Sequence, residues 1–342
     1  MRHGMVIGRH FEPLQTIGRN AMLKRLVQTM LLLAGALFLS QAAAQDYPAK
    51  PIRLIVPNTP GGAMDIAARL TGPKMTESLG QPIVVEYRVG AGGVVGANHA
   101  AQAAPDGYTL IMVFDSFTTN PYLFKDVKYD PVKDFAPISL VVKGTQVLVA
   151  HPGLGVRNLG QFIELAKGKG NGLNFATAGP GTSSRFSMEL FRMTTGIDPT
   201  TVHYKGGGAL INALVGGEVP VSIVTMGVVY QHIKGGRLLP LAVTSASKSA
   251  LLPEVPTVGE SYPGFEAQSW LGLLAPAATP HPVVDMLYRA MSKALAAAEV
   301  RQKFQGQGYE VVGSTPEAFG GWIRAESARW GRVIRERKIR LE

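Results

Sequence analysis

The chain has 342 residues, 46% of them hydrophobic and 17% charged, with 40 glycines, about 12% against a usual ~7%, and no cysteine. A chain of this length buries a large apolar core and commonly splits into two domains, while the lack of cysteine excludes a disulfide scaffold, thiolate metal sites, a cysteine nucleophile and a lipid anchor on an N-terminal cysteine. Of the formal net charge of +10, residues 1–44 supply +4 from five basic side chains and one acid, which leaves 29 basic and 23 acidic groups and a net +6 beyond them. That dispersed surplus favours small anions modestly and offers no nucleic-acid footprint.

Met22-Leu-Lys24-Arg25, a nearly uncharged apolar run from Leu26 to Leu39, and Ala42-Ala43-Ala44 before Gln45 have the layout of a secretory signal peptide cleaved after Ala44. Residues 1–21 read as an extension upstream of the working start, so residues 1–44 are set aside from the fold. No later stretch approaches the ~20 apolar residues needed to cross a bilayer, and a soluble exported protein is expected.

From there short apolar strands alternate with helices, the pattern of an α/β fold. Ile52–Val56 reads as a strand, Pro57–Gly62 as a turn, and the next helix carries Ile66 and Leu70 four apart. Ile83–Tyr87, the glycine loop Gly90–Gly93, an alanine-rich helix to Ala104 and the strand Tyr108–Val113 extend the series into one parallel sheet. An extended run from beyond Asp134 to Ala150 is longer than an ordinary strand and suits a crossing between two lobes. Asn158 with Gln161 resembles a capping box, and strands at 173–177, 201–204, 219–224 and 239–244 are expected to form a second sheet. Ser269–Ala275 is a further extended run, followed by two helices with Pro282 and Pro316 at their first positions. In the last helix Phe319, Ile323, Trp330 and Ile334 share a face, and Arg324, Arg329, Arg332 and Arg335 read as its solvated side. Two sheets joined by two extended crossings imply a hinged clam.

Enzyme signatures are absent: there is no Gly-x-Ser-x-Gly elbow, His-Glu-x-x-His or phosphate loop. His99, His151, His203, His232 and His281 lack metal-ligand spacing, and Val95 stands where a dinucleotide fingerprint needs its third glycine. No cofactor or metal is expected. What remains is a set of strand-to-helix loops rich in Gly, Ser and Thr: Pro60–Ala63 with Asp65, Asp115–Thr119, Gly179–Ser184 and Tyr204–Gly208. In an open α/β sheet these lie at the carboxyl ends of strands, where helix N-termini can cradle a carboxylate.

Eleven ordered blocks, among them Tyr47-Pro-x-Lys-Pro-Ile-Arg-Leu-Ile-Val-Pro, Pro60-Gly-Gly-x-x-Asp65, Pro105-Asp-Gly-Tyr-Thr-Leu110, Tyr129-Asp-Pro-x-Lys-Asp-Phe135-Ala-Pro-Ile, Gly179-x-Gly-Thr182 and Trp270-x-Gly-Leu-x-Ala-Pro276, resemble the periplasmic solute receptors of tripartite tricarboxylate transporters, also called Bug-type receptors. The likeness spans nearly all of residues 46–338. It implies a type II periplasmic-binding (Venus flytrap) fold with two crossing strands as hinge, lobe 1 from 46–145 and 269–342 and lobe 2 from 146–268. It implies capture of a di-, tri- or aromatic carboxylate, without catalysis, by a monomer that docks transiently with membrane permease subunits. Carried over by position, the cradle comprises Asn58, Thr59, Gly61, Gly62, Ala63, Asp65, Ser116 and Thr118 in the first lobe and Gly181, Thr182, Ser183 and Thr225 in the second. Gly62 is expected to be a position that only glycine fills. Arg185 stands where the family usually has histidine and Val224 where aspartate is common, a pair of changes that favours a more anionic ligand or leaves Arg185 facing solvent. A secreted hydrolase on a similar scaffold and a sensor input protein are the rival readings.

Overall fold

Strand β1 (Ile52–Val56) lies between parallel neighbours β2 (Ile83–Tyr87) and β3 (Thr109–Phe114), with Ile52 opposite Ile83 and Arg53 opposite Thr109. The computed structural model describes Met1 and residues 47–179, 181–204 and 206–340; the signal segment and its upstream extension lie outside the described residues. The chain divides into two compact units, Met1–Ala49 and Lys50–Glu342, and everything below concerns the second.

Helix α1 (Ala63–Leu79) links β1 to β2, and α2 (Val94–Ala101) links β2 to β3. The buried stripe of α1 runs through Met64, Ala67, Ala68, Thr71 and Met75, so Ile66 and Leu70 flank it rather than define it. Small alanines let the helix settle close to the sheet, and the larger side chains fill its margins. After α3 (Ser116–Leu123) the chain enters β4, a 16-residue strand from Phe135 to Ala150 that matches the extended run in the sequence.

β4 carries the architecture because it changes partners midway. From Phe135 to Thr145 it pairs antiparallel with β9 (Gln268–Pro276), which in turn pairs antiparallel with β3. From Gln146 to Ala150 it pairs with β7 (Val221–Thr225) on one edge and, over Val147 to Ala150, with β8 (Leu239–Val243) on the other. β5 (Asn174–Thr177) continues in parallel from β7, and β6 (Thr200–His203) closes that side. The second group of strands is therefore not a separate sheet: it shares β4 with the first in one ten-stranded hydrogen-bonded system. Helices α4 (Leu159–Lys169), α5 (Ser183–Thr195), α6 (Gly207–Val215) and α7 (Met226–Lys234), with the short α8 (Val258–Ser261), belong to this second group. The Asn158 cap is only half a capping box. Its Oδ1 accepts the Gln161 amide at 2.9 Å, but Gln161 Oε1 accepts from the Arg157 amide, one residue early.

Three helices, not two, follow β9: α9 (His281–Ala296), α10 (Ala298–Gly306) and, after the short strand β10 (Tyr309–Val311), α11 (Pro316–Glu336). Pro282 sits at the second helical position and Pro316 at the first, where Thr315 accepts the Ala318 amide. Helix α11 joins both halves of the molecule. Phe319 and Ile323 pack into the core of the first half, where the Phe319 ring lies edge-on to Trp270 at 5.7 Å. Trp330, Val333 and Ile334 pack into the second, where Trp330 meets Phe186 at 5.8 Å. Arg324, Arg332 and Arg335 are solvated as expected, but Arg329 is bound by Glu326 and the Glu266 carbonyl.

Candidate functional site

The carboxyl ends of β1 and β3 open on one side of a cleft of about 420 Å³, and the loop after β5 opens on the other. Pro57, Asn58, Met64, Phe114, Asp115 and Ser116 line the first wall; Ala178, Gly181, Thr182 and Ser183 line the second. Of the twelve residues expected from the sequence, five border this space: Asn58, Ser116, Gly181, Thr182 and Ser183. Thr59, Gly61, Gly62, Ala63, Asp65, Thr118 and Thr225 do not line it.

Chemistry explains several of these differences. Asp65 is 3% exposed, and its carboxylate is fully engaged: Oδ2 accepts the Gly61 amide at 2.8 Å, and Oδ1 accepts Arg69 Nε at 2.8 Å and the Tyr87 hydroxyl at 2.7 Å. It is a clamp holding the Pro60–Gly62 turn from behind, and the arginine that completes it stands four residues along the same helix. Thr118 is wholly buried and turns its hydroxyl back to the Asp115 carbonyl at 2.9 Å. Thr225 closes the β4–β7 ladder opposite Gln146. Gly62 has φ −76°, a conformation open to any residue, so no backbone strain excludes other side chains there, but a Cβ would crowd Asn58 Nδ2 at 3.2 Å and the Thr59 carbonyl oxygen at 3.3 Å. Val224 is core, opposite Val147. Arg185 does not line the cleft and is mostly buried: it pairs with buried Glu189 at 2.8 Å and donates to His203 Nε2 at 2.9 Å.

Burial alone would raise the Asp65 pKa, but the hydrogen bonds from Gly61, Tyr87 and Arg69 outweigh it and hold the carboxyl below its usual 3.8. A depressed folded value means that the stabilisation is present at neutral pH and is lost as the pH falls below 3.8 and through the lower folded value. Asp65→Asn is expected to lower stability by about 1–3 kcal/mol, because the amide cannot satisfy three donors, and to flatten the acid limb of a pH-dependent melting series.

Two features of the walls suit an anion. The first is helix termini. α1 begins at Gly62 and α5 at Thr182, and neither receives a side-chain cap; Thr182 Oγ1 donates instead to the Gly179 carbonyl at 2.7 Å. Both first turns reach the cleft, through Met64 and Ser183, so positive helix ends face it from opposite walls. The second is the turn Gly90–Gly93, which sequence reasoning set aside with the dinucleotide pattern. Its four residues have positive φ (149°, 46°, 62° and 97°), a left-handed run that only glycine-rich sequence adopts cheaply. Ser116 Oγ at 3.2 Å and Asn120 Nδ2 at 3.0 Å donate to the Gly92 carbonyl and hold the turn against the cleft. The glycine density was the available signal for it.

A family model described as "Tripartite tricarboxylate transporter family receptor" matches residues 67–339. The chain belongs to this receptor family. It is 36% identical to the protein BugT of Bordetella pertussis (strain Tohama I) over 91% of this chain and 97% of that one. Among solved structures it is similar to MatC (Rpa3494) from Rhodopseudomonas palustris with bound malate, at 32% identity, TM-score 0.71, and coverage of 84% of this chain and all of that one. It is also similar to R. palustris Rpa4515 with adipate, at 31% identity, TM-score 0.74, and coverage of 86% and 100%. The two-lobed solute-binding fold of the family is the one that the partner switch in β4 builds here. Among the described residues no helix of this receptor is long and apolar enough to cross a membrane, and no cluster of His, Asp and Glu could hold a metal ion.

Proposed function

We propose that this receptor captures a small di-, tri- or aromatic carboxylate in the cleft between two lobes, acts without catalysis, and delivers its solute to integral-membrane permease subunits. The lobes correspond to residues 46–145 with 269–342 and to residues 146–268, the chain crossing at Thr145–Gln146 and at Gln268–Ser269. The observation that carries the reading is the pair of uncapped helix N-termini on opposite walls of one cleft. A dianion between them takes favourable charge from both sides, each end contributing about 0.3–1 kcal/mol when exposed and up to ~2 when partly buried. The malate and adipate held by the two related structures support this ligand class. The signal-like segment 22–44 supports export to the periplasm, and delivery requires release, so the receptor works as a monomer that docks only transiently.

Solution scattering with malate, adipate and a wider panel of di- and tricarboxylates tests the capture step. A ligand that draws the walls together lowers the radius of gyration as the crossings bend. A radius unchanged at saturating ligand contradicts capture by closure.

A further inference from the structure

Asp115 stands between the end of β3 and the start of α3, next to Ser116 on the wall of the cleft. It is 6% exposed, and its Oδ2 has no hydrogen-bond partner. The groups that face it are arranged for a neutral side chain. The charged and titratable groups that act on it are the carboxyl of Glu326 on α11, itself 3% exposed and held by Trp270, Trp330 and Arg329, and Tyr309 on β10, together with the Ser116 amide on α3. Burial and then Glu326 push the Asp115 carboxyl well above its usual range, against the Ser116 amide. Tyr309 is pushed up to about 12 by burial and by Asp115, so it stays a neutral phenol at physiological pH.

An ionised Asp115 would oppose an incoming carboxylate and would be an unpaired buried charge, which is costly. A protonated one has an O–H to give, and an O–H···O⁻ bond to a carboxylate is among the stronger hydrogen bonds available to a side chain. We propose that Asp115 meets the solute as the neutral acid and donates its O–H to a carboxylate oxygen, so that binding requires a proton that the free receptor loses as the pH rises. This rests on the carboxylate reading above. Asp115 thereby selects fully anionic solutes against those bearing an ammonium group, which an ionised carboxylate would attract instead.

The test is calorimetric titration of the purified protein with adipate and with malate from about pH 6.5 to 9, where both solutes are fully ionised, in buffers of different ionisation enthalpy. The wild-type affinity is expected to fall by up to about tenfold per pH unit above the Asp115 transition, the limit for one linked proton, and the heat to vary with the buffer as a proton is taken up. Asp115→Asn keeps a donor in place, so it is expected to bind with a flat pH profile and no buffer dependence. A wild-type affinity that does not change with pH overturns the proposal whatever the variant does. So does an Asp115→Asn protein that is folded by circular dichroism yet fails to bind at every pH. If neither these two acids nor a wider panel of carboxylates binds the wild type, the receptor reading itself fails and the proposal with it.

Discussion

Replacing Ser183 by aspartate is expected to abolish carboxylate binding while leaving the fold intact. Ser183 is the first residue of α5, half-buried, and lines the cleft. A carboxylate there complements the helix N-terminus and adds about 0.3–1 kcal/mol to stability. The same charge confronts a bound carboxylate. Two unit charges about 4 Å apart in an environment of effective dielectric about 20 repel by roughly 4 kcal/mol, which weakens binding by about a thousandfold. Ser183→Asn, of similar shape and no charge, is expected to retain most of the affinity. Titration of both variants, with their melting temperatures, separates the effects: an unchanged affinity in Ser183→Asp would remove α5 from the site.

The largest effect on stability is expected at Glu189. This side chain is 1% exposed on α5 and receives three guanidinium groups, Arg185 at 2.8 Å, Arg192 at 3.3 Å and Arg337 at 2.8 Å. Arg337 follows the end of α11, so Glu189 ties the helix that spans both halves of the sheet to the second half. Glu189→Ala leaves three cations facing one another, and the exposed Asp198 is then the one anionic partner of Arg192 and Arg337 among the described residues. Removing one member of a buried ionic group costs about 3–5 kcal/mol. Urea unfolding measures it, and a loss below about 1 kcal/mol would mean that solvent already screens the cluster.

The strands were legible because burial writes itself into the pattern of apolar residues. Ile52–Val56 and Ile83–Tyr87 have the limits read from the sequence, and the long run to Ala150 is one strand. That this strand unites both groups of strands was not legible, because pairing is set by partners distant in sequence, on β7, β8 and β9. The site divides in the same way. Gly181, Thr182 and Ser183 were readable as a loop opening a helix, a local feature. Asp65 looked like a ligand contact because its partner Tyr87 lies on β2, beyond its own helix, and Arg185 looked like a specificity residue because Glu189 and His203 enclose it only in three dimensions. Asp115 was visible in its loop, but its isolation depends on Glu326, brought to it by the last helix. The left-handed turn at Gly90–Gly93 carried a strong compositional signal, but it resembled an incomplete dinucleotide fingerprint and was not counted among the site loops. Short glycine runs specify backbone shape, and the shape serves many ligands.

Esterification separates charge from size. Backbone amides and helix N-termini reward anionic oxygen, and charge-assisted hydrogen bonds, worth about 1.5–3 kcal/mol each, fall to about 0.5–1.5 when the acceptor is neutral. Calorimetric titration with a dicarboxylate that binds and with its dimethyl ester is therefore the most direct measurement. Saturable binding of the acid, weakened only mildly by salt because the site closes over it, and no detectable binding of the diester is the expected result. Equal binding of the two would contradict an anion cradle between the lobes.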